Sequence, residues 1–340
     1  MSRKHIRIAT LVAVVAAVAL VGAACSSKKA TTPPASGATT LATPFKIAIV
    51  APSAPNDLAF TQSMVDAVNR LKDQYNLDIA VSDSLFVVED AAAAIRDYAS
   101  KGYDLVIAHG SQFGGSVQEI APDFPNVSFA WGTAGDTFGL PNVFAYQAAS
   151  DQGGYVLGQM AAALSQSGII GVVGPIEVGD AKLYVDGFKN GAVAQKSTAD
   201  VRVNYTGSFS DVALASEAAK SFVDAGADVM TGSAQMVVGA VGVAKENHVA
   251  WFGTQSNQTS LAPDVVVASQ VYHWEVVLSQ IIDAIKAGTL GGQTYNIDLA
   301  NGGEVIEFNP DYALASDVKA IGDAAIAGIK DGSITTGASG

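Results

Sequence analysis

From residue 45 onward, short β-branched runs alternate with amphipathic stretches. Residues 45–50 are mostly apolar, as a strand buried on both faces of a parallel sheet must be. A turn-rich segment, 51–57, follows. Apolar Phe60, Met64, Val65, Val68 and Leu71 then recur at three-to-four spacing and predict a helix. The unit repeats, with strands expected at 77–81, 103–108 and 127–131 and helices at 89–100 and 116–121. After a strand-like run at 143–146 a second series opens with a helix over 153–165. Strands are expected at 168–174, 201–206, 228–230, 249–252 and 265–271, with helices over 180–195, 212–225 and 237–245. A long helix over 272–287 is placed to return to the first series, and a last one spans 313–331. Strand and helix alternating at this spacing predict an α/β protein of two doubly wound parallel-sheet lobes with right-handed crossovers. The 340 residues exceed what one hydrophobic core usually supports, which agrees with two lobes.

The first 44 residues follow a different pattern. Arg3, Lys4 and Arg7 precede an apolar run from Ile8 to Ala24, which is short for a membrane span but suits a signal peptide over residues 1–24. Cys25, the only cysteine of the chain, comes next. A cysteine there resembles a bacterial lipobox, in which the peptide is cut before the cysteine and the thiol is acylated. Gly22 stands where a leucine is usual. Residues 25–44, rich in Ser, Thr, Ala and Pro, read as a lipidated cysteine and flexible tether. The expected location is outside the cell membrane, held to its outer face through Cys25.

Composition narrows the function. One cysteine excludes an internal disulfide, and with four histidines it leaves little for a thiol-imidazole metal site. The formal net charge is −13, and loss of Arg3, Lys4 and Arg7 with the signal takes it to −16, against phosphate-backbone binding to nucleic acid. No P-loop, no dinucleotide fingerprint and no nucleophile elbow occurs. Neither a cofactor nor a metal is expected.

Ligands of open parallel sheets bind beyond the carboxyl ends of the strands. The loops there carry Asn56, Asp57, Phe60, Ser111, Gln112, Phe113, Trp131, Phe209, Gln235, Gln255, Asn257 and Trp274. Amides donate and accept, which suits a neutral polar ring or a sugar, and aromatics stack on planar ligands. Other roles compete: Phe60 is spaced for core packing, Trp274 for hinge packing, Asp57 for helix capping, and His109 for packing under its loop. A sugar receptor of the same fold, an exported α/β hydrolase and a lipid-anchored sensor stand as alternatives.

At these residues the chain resembles the basic membrane protein family of substrate-binding lipoproteins, which includes the purine nucleoside receptors of bacterial ABC importers. The resemblance covers about residues 45–310. It is carried by residues 45–50, Asn56-Asp57, Phe60-Thr61-Gln62-Ser63, Tyr184, Gly187-Phe188, Gly191, Phe209-Ser210-Asp211 and Gly253. It implies the type I periplasmic-binding-protein fold, two lobes joined by a hinge of three crossovers. The lobes are then 45–146 with 271–303, and 147–270 with 304–331, leaving a disordered tail at 332–340. It also implies a ligand stacked between Phe60 and Phe209, a membrane permease as partner and a monomeric binder rather than an enzyme. Two positions depart from nucleoside-binding members: Thr61 replaces an asparagine, and Gln255 replaces the aspartate that grips the ribose hydroxyls. A purine-type nucleobase or nucleoside is the expected ligand.

Overall fold

The computed structural model describes residues 43–338. Cys25, the signal peptide and nearly all of the tether lie outside these residues. The first sheet is built from β1 (Phe45–Val50), β2 (Leu77–Ser82), β3 (Leu105–His109), β4 (Ser128–Gly132), β5 (Val143–Ala148) and β11 (Thr294–Ile297), in the order β11-β5-β4-β3-β1-β2. All its pairings are parallel. The second sheet holds β6 (Ile169–Gly174), β7 (Asp200–Tyr205), β8 (Val229–Gly232), β9 (Ala250–Gly253), β10 (Val266–Tyr272) and β12 (Glu304–Phe308), in the order β12-β10-β9-β8-β6-β7. Only β12 runs antiparallel, against β10.

The continuous apolar runs are explained by burial on both faces. In β3, Leu105 and Ile107 pack into one core while Val106 and Ala108 pack into another on the opposite face. The second sheet repeats this arrangement, with Val172 on one side and Val173 on the other. Strand side chains alternate, so a sheet covered on both sides needs apolar residues at every position.

The first lobe carries α1 (Phe60–Tyr75), α2 (Val88–Ser100), α3 (Gly114–Ile120) and α8 (Glu275–Lys286). The second carries α4 (Ser150–Leu164), α5 (Gly179–Gln195), α6 (Val212–Asp224), α7 (Val238–Glu246) and α9 (Ser316–Lys330). The chain passes between the sheets after β5, after β10 and after β11. The helix expected to open at Tyr272 starts at Glu275, because Tyr272 is the last residue of β10 and pairs with Glu304. β11 and β12 were not foreseen: both are short and partly exposed, so neither shows a long apolar run.

Helices α4 and α5 pack backbone to backbone. A Cβ on Gly158 would lie 2.0 Å from the Phe188 carbonyl oxygen, one on Gly187 2.2 Å from that of Asp151, and one on Gly191 2.0 Å from that of Tyr155. Only glycine permits this approach, and it seats the first turn of α5 beside the hinge. Residues 332–338, expected as part of a disordered tail, make hydrogen bonds to the second lobe. Ile334 N donates to the Gly328 carbonyl, Thr336 bonds to Asp151, and the Thr336 carbonyl accepts from Asn190 at 2.9 Å.

Candidate ligand-binding cleft

A cavity of about 400 Å³, its mouth included, lies between the lobes at the carboxyl ends of the strands. The first lobe contributes Pro52 after β1, Phe60 at the start of α1, Gly110 to Gln112 after β3 and Thr133 after β4. The second contributes Asp180 in the first turn of α5, Phe209 after β7, Ser233 to Gln235 after β8 and Gln255 after β9.

Phe60 is held from two directions. The Asp57 carboxylate accepts from the backbone N–H groups of Ala59 at 2.9 Å, Thr61 at 3.1 Å and Gln62 at 3.1 Å. It thereby satisfies the first-turn donors that a helix leaves open. The Phe60 ring stacks on His109, with centroids 3.8 Å apart and planes 9° apart. His109 is fully buried, and desolvation pushes its pKa down to about 3, so the ring is neutral. A carbonyl can only accept, so His109 Nε2–H donates to the Phe60 carbonyl at 3.1 Å and Nδ1 accepts from the Tyr146 hydroxyl at 2.8 Å. His109 thus supports Phe60 from beneath and does not line the cavity. Across the cleft, Asp211 caps α6 through Ala213 N and Leu214 N, both at 3.0 Å, and the Phe209 carbonyl accepts from Met236 N at 3.1 Å. The Phe209-Ser210-Asp211 motif is therefore a helix start that projects an aromatic ring.

Asp180 Oδ2, Gln235 Nε2 and Gln255 Oε1 are buried and have no hydrogen-bond partner among the described residues. Buried polar atoms are nearly always paired, and these three belong to residues that line one cavity. Burial raises the Asp180 carboxyl above its ordinary value, against the Thr133 hydroxyl and backbone N–H groups, which favour its charged form. Gln255 and Ala234 hold left-handed backbone, φ 68° and 74°, at the same wall. Non-glycine residues there carry a conformational cost of order 1–3 kcal/mol that the fold must offset, a pattern concentrated at functional sites.

Three hydrogen bonds join the lobes around this cavity. Thr133 Oγ1 donates to Asp180 Oδ1 at 2.9 Å, Ser256 Oγ to the Ala59 carbonyl at 2.8 Å, and Gln258 Nε2 to the Leu58 carbonyl at 3.2 Å.

Of the twelve residues expected from sequence, the cavity brings together Phe60, Ser111, Gln112, Phe209, Gln235 and Gln255. The other six lie elsewhere. Asn56 is exposed on its turn, and Asp57 is spent on capping α1. Phe113 is buried in the core over α2 and α3, where a strand-end aromatic finds more apolar neighbours than a cleft offers. Trp131 joins the same core and stacks on Phe138, centroids 4.7 Å apart. Asn257 turns outward and donates to Glu307 at 2.7 Å. Trp274 is fully buried under the hinge, with its Nε1 donating to Ser63 Oγ at 3.0 Å and its ring edge-on to Tyr146 and Tyr272. Sequence reasoning missed Phe86, 41% exposed at the cavity edge, and Thr133 and Asp180. The signal for the last two was their position in loops after strand ends, one of them bearing a carboxylate.

Known proteins extend this picture. The chain is 26% identical over 294 residues to a purine-binding protein of Brucella abortus, covering 85% of this chain and 82% of that protein. It is 25% identical over 318 residues to an ABC transporter nucleoside-binding protein of Lactococcus lactis, covering 86% and 89%. Among solved structures, an ABC transporter solute-binding protein from Conexibacter woesei matches at a TM-score of 0.70 and 26% identity, covering 85% of this chain and 97% of that one. The fold is the two-lobed type I periplasmic-binding-protein fold. Residues 45–331 match the profile of the PnrA-like ABC transporter substrate-binding proteins, and the chain belongs to that family, Bmp.

Proposed function

We propose that this protein captures a purine-type nucleobase or nucleoside between its lobes and delivers it to a membrane permease, tethered to the outer face of the membrane through acyl chains on Cys25. It acts as a monomer and leaves its ligand chemically unchanged. One observation carries the ligand reading: three residues that line a cavity walled by Phe60 and Phe209 each hold a buried polar atom with no partner among the described residues. A flat heteroaromatic ring offers two faces to the phenyl rings and in-plane donors and acceptors to the polar wall. The purine-binding and nucleoside-binding relatives support the same class. Contacts from both lobes to one ligand exist only when the lobes are together, so binding favours the closed form.

Isothermal calorimetry with nucleobases, nucleosides and simple sugars tests the proposal. A purine or its nucleoside should bind at micromolar affinity or better, and sugars should not. Preferential binding of a sugar, or turnover of a nucleoside to base and sugar, would refute it. The intact mass of membrane-extracted protein reports the anchor: a Cys25→Ser chain should lose its lipid mass and leave the membrane fraction.

A further inference from the structure

We infer that Asp180 is a specificity-determining residue: its free Oδ2 accepts an N–H from the ligand, while its Oδ1 holds the opposite lobe. The inference rests on the cleft reading above and names the contact that reading leaves open. Asp180 comes from the second lobe, at the first turn of α5. Its Oδ1 already accepts from Thr133 Oγ1 of the first lobe at 2.9 Å, and its buried Oδ2 has no partner among the described residues. Its backbone carbonyl accepts from Ser150 Oγ at 2.6 Å at the first hinge crossing, which fixes the start of α5. The glycine packing of α4 against α5 fixes the helix behind it.

The chemistry selects one kind of ligand edge. Glutamine amides at 235 and 255 present either a donor or an acceptor by rotation. A carboxylate offers acceptors only, and here a single oxygen remains. It therefore accepts N–H on that one oxygen rather than through a bidentate contact across both, and a ligand that presents a lone pair to it is repelled. Burial raises the carboxyl above its ordinary value, and the Thr133 hydroxyl and backbone N–H groups oppose this by favouring the charged form; a ligand N–H on Oδ2 would add to that opposition. Because Thr133 and the ligand meet the same carboxylate from different sides, ligand recognition and lobe contact share one residue.

Adenine serves as the probe, with its donors removed one at a time: unsubstituted purine lacks the amino group and 9-methyladenine lacks the ring N–H. The wild-type protein should lose about 10- to 100-fold in affinity on one of these two changes, the loss expected when a buried acceptor goes unpaired. The isosteric Asp180→Asn variant, which turns a donor toward the ligand, should bind adenine about 10- to 100-fold more weakly. It should also lose the discrimination against the analogue. Thr133→Val keeps Oδ2 and should keep the discrimination, whatever it does to overall affinity. Adenine affinity unchanged in Asp180→Asn, or the analogue penalty retained in full, overturns the inference. If no purine binds the wild-type chain, the purine reading fails by itself. Asp180 is then judged on the ligand that native mass spectrometry finds on the purified protein: equal retention by Asp180→Asn overturns its role, and loss supports it.

Discussion

Replacing Glu304 with glutamine should stabilise the protein at neutral pH and have no effect near pH 4. Glu304 opens β12, fully buried at the third crossing between the lobes. Its Oε1 accepts from Gly153 N at 2.5 Å and from Gln270 Nε2 at 2.8 Å, and that same amide group donates to the Ser150 carbonyl at 3.0 Å. One carboxyl thus ties together residues from all three crossings. Its Oε2 and the Gln270 Oε1 have no partner among the described residues, the arrangement that a protonated carboxyl facing an amide would satisfy. Burial pushes its pKa from 4.5 to about 8, over the opposing hydrogen bonds from Gln270 and Gly153, and Asp151 and Asp298 push it further up. Between pH 4.5 and 8 the folded chain then holds a proton that the unfolded chain has lost. Stability falls as pH rises through this window, by about 1.36 kcal/mol per unit. The accumulated loss is about 3 kcal/mol at pH 7 and levels off above pH 8. Glutamine keeps the shape and the acceptor and does not titrate. Urea unfolding of both proteins from pH 4 to 9 should show a gap that opens with pH in favour of Glu304→Gln. His109, with its depressed pKa, gives a slope of opposite sign below pH 6.5, but it is common to both proteins and cancels in the difference. A gap independent of pH, or a variant markedly less stable than wild type at pH 7, would refute the reasoning.

Phe209→Ala should weaken binding of the best purine about 10- to 100-fold, from the stacking of one base face, with little change in melting temperature because Phe209 is only half-buried. Phe60→Ala should lose comparable affinity and also stability, since it strips a stacked partner from His109; calorimetry and thermal melts separate the two effects. Trp274→Ala should cost about 3–5 kcal/mol of unfolding free energy through its cavity, measurable by urea titration. Gly187→Ala should destabilise the second lobe by at least the ~1–3 kcal/mol of ordinary overpacking, because the added carbon meets backbone that cannot rotate away.

Much of the architecture was legible in the chain. Strands such as β6, and β3 up to Ala108, are uninterrupted apolar runs because both sheet faces are covered, and their shortness and flanking turns separate them from the amphipathic helices between. β11 and β12 carry too little buried surface to announce themselves, and the tail at 332–338 is held mainly by backbone groups that leave no pattern in side chains. The site was legible in part. Phe60 and Phe209 stand beside capping aspartates, which locate a helix start at a strand's carboxyl end. Phe113, Trp131 and Trp274 occupy similar positions in sequence yet face inward, because a strand-end aromatic can turn either to the cleft or to the core.

By itself, then, the sequence determined the alternation of strand and helix, the two-lobed plan and the loops from which a ligand would be held. Those follow from local period, turn chemistry and the side-chain types at strand ends. Only the tertiary structure decided which of those side chains face the cavity, that Glu304 gathers the three crossings, and that Asp180 meets Thr133 across the cleft with one oxygen to spare. Such facts depend on which distant segments pack against one another, and on which polar atoms that packing leaves unpaired.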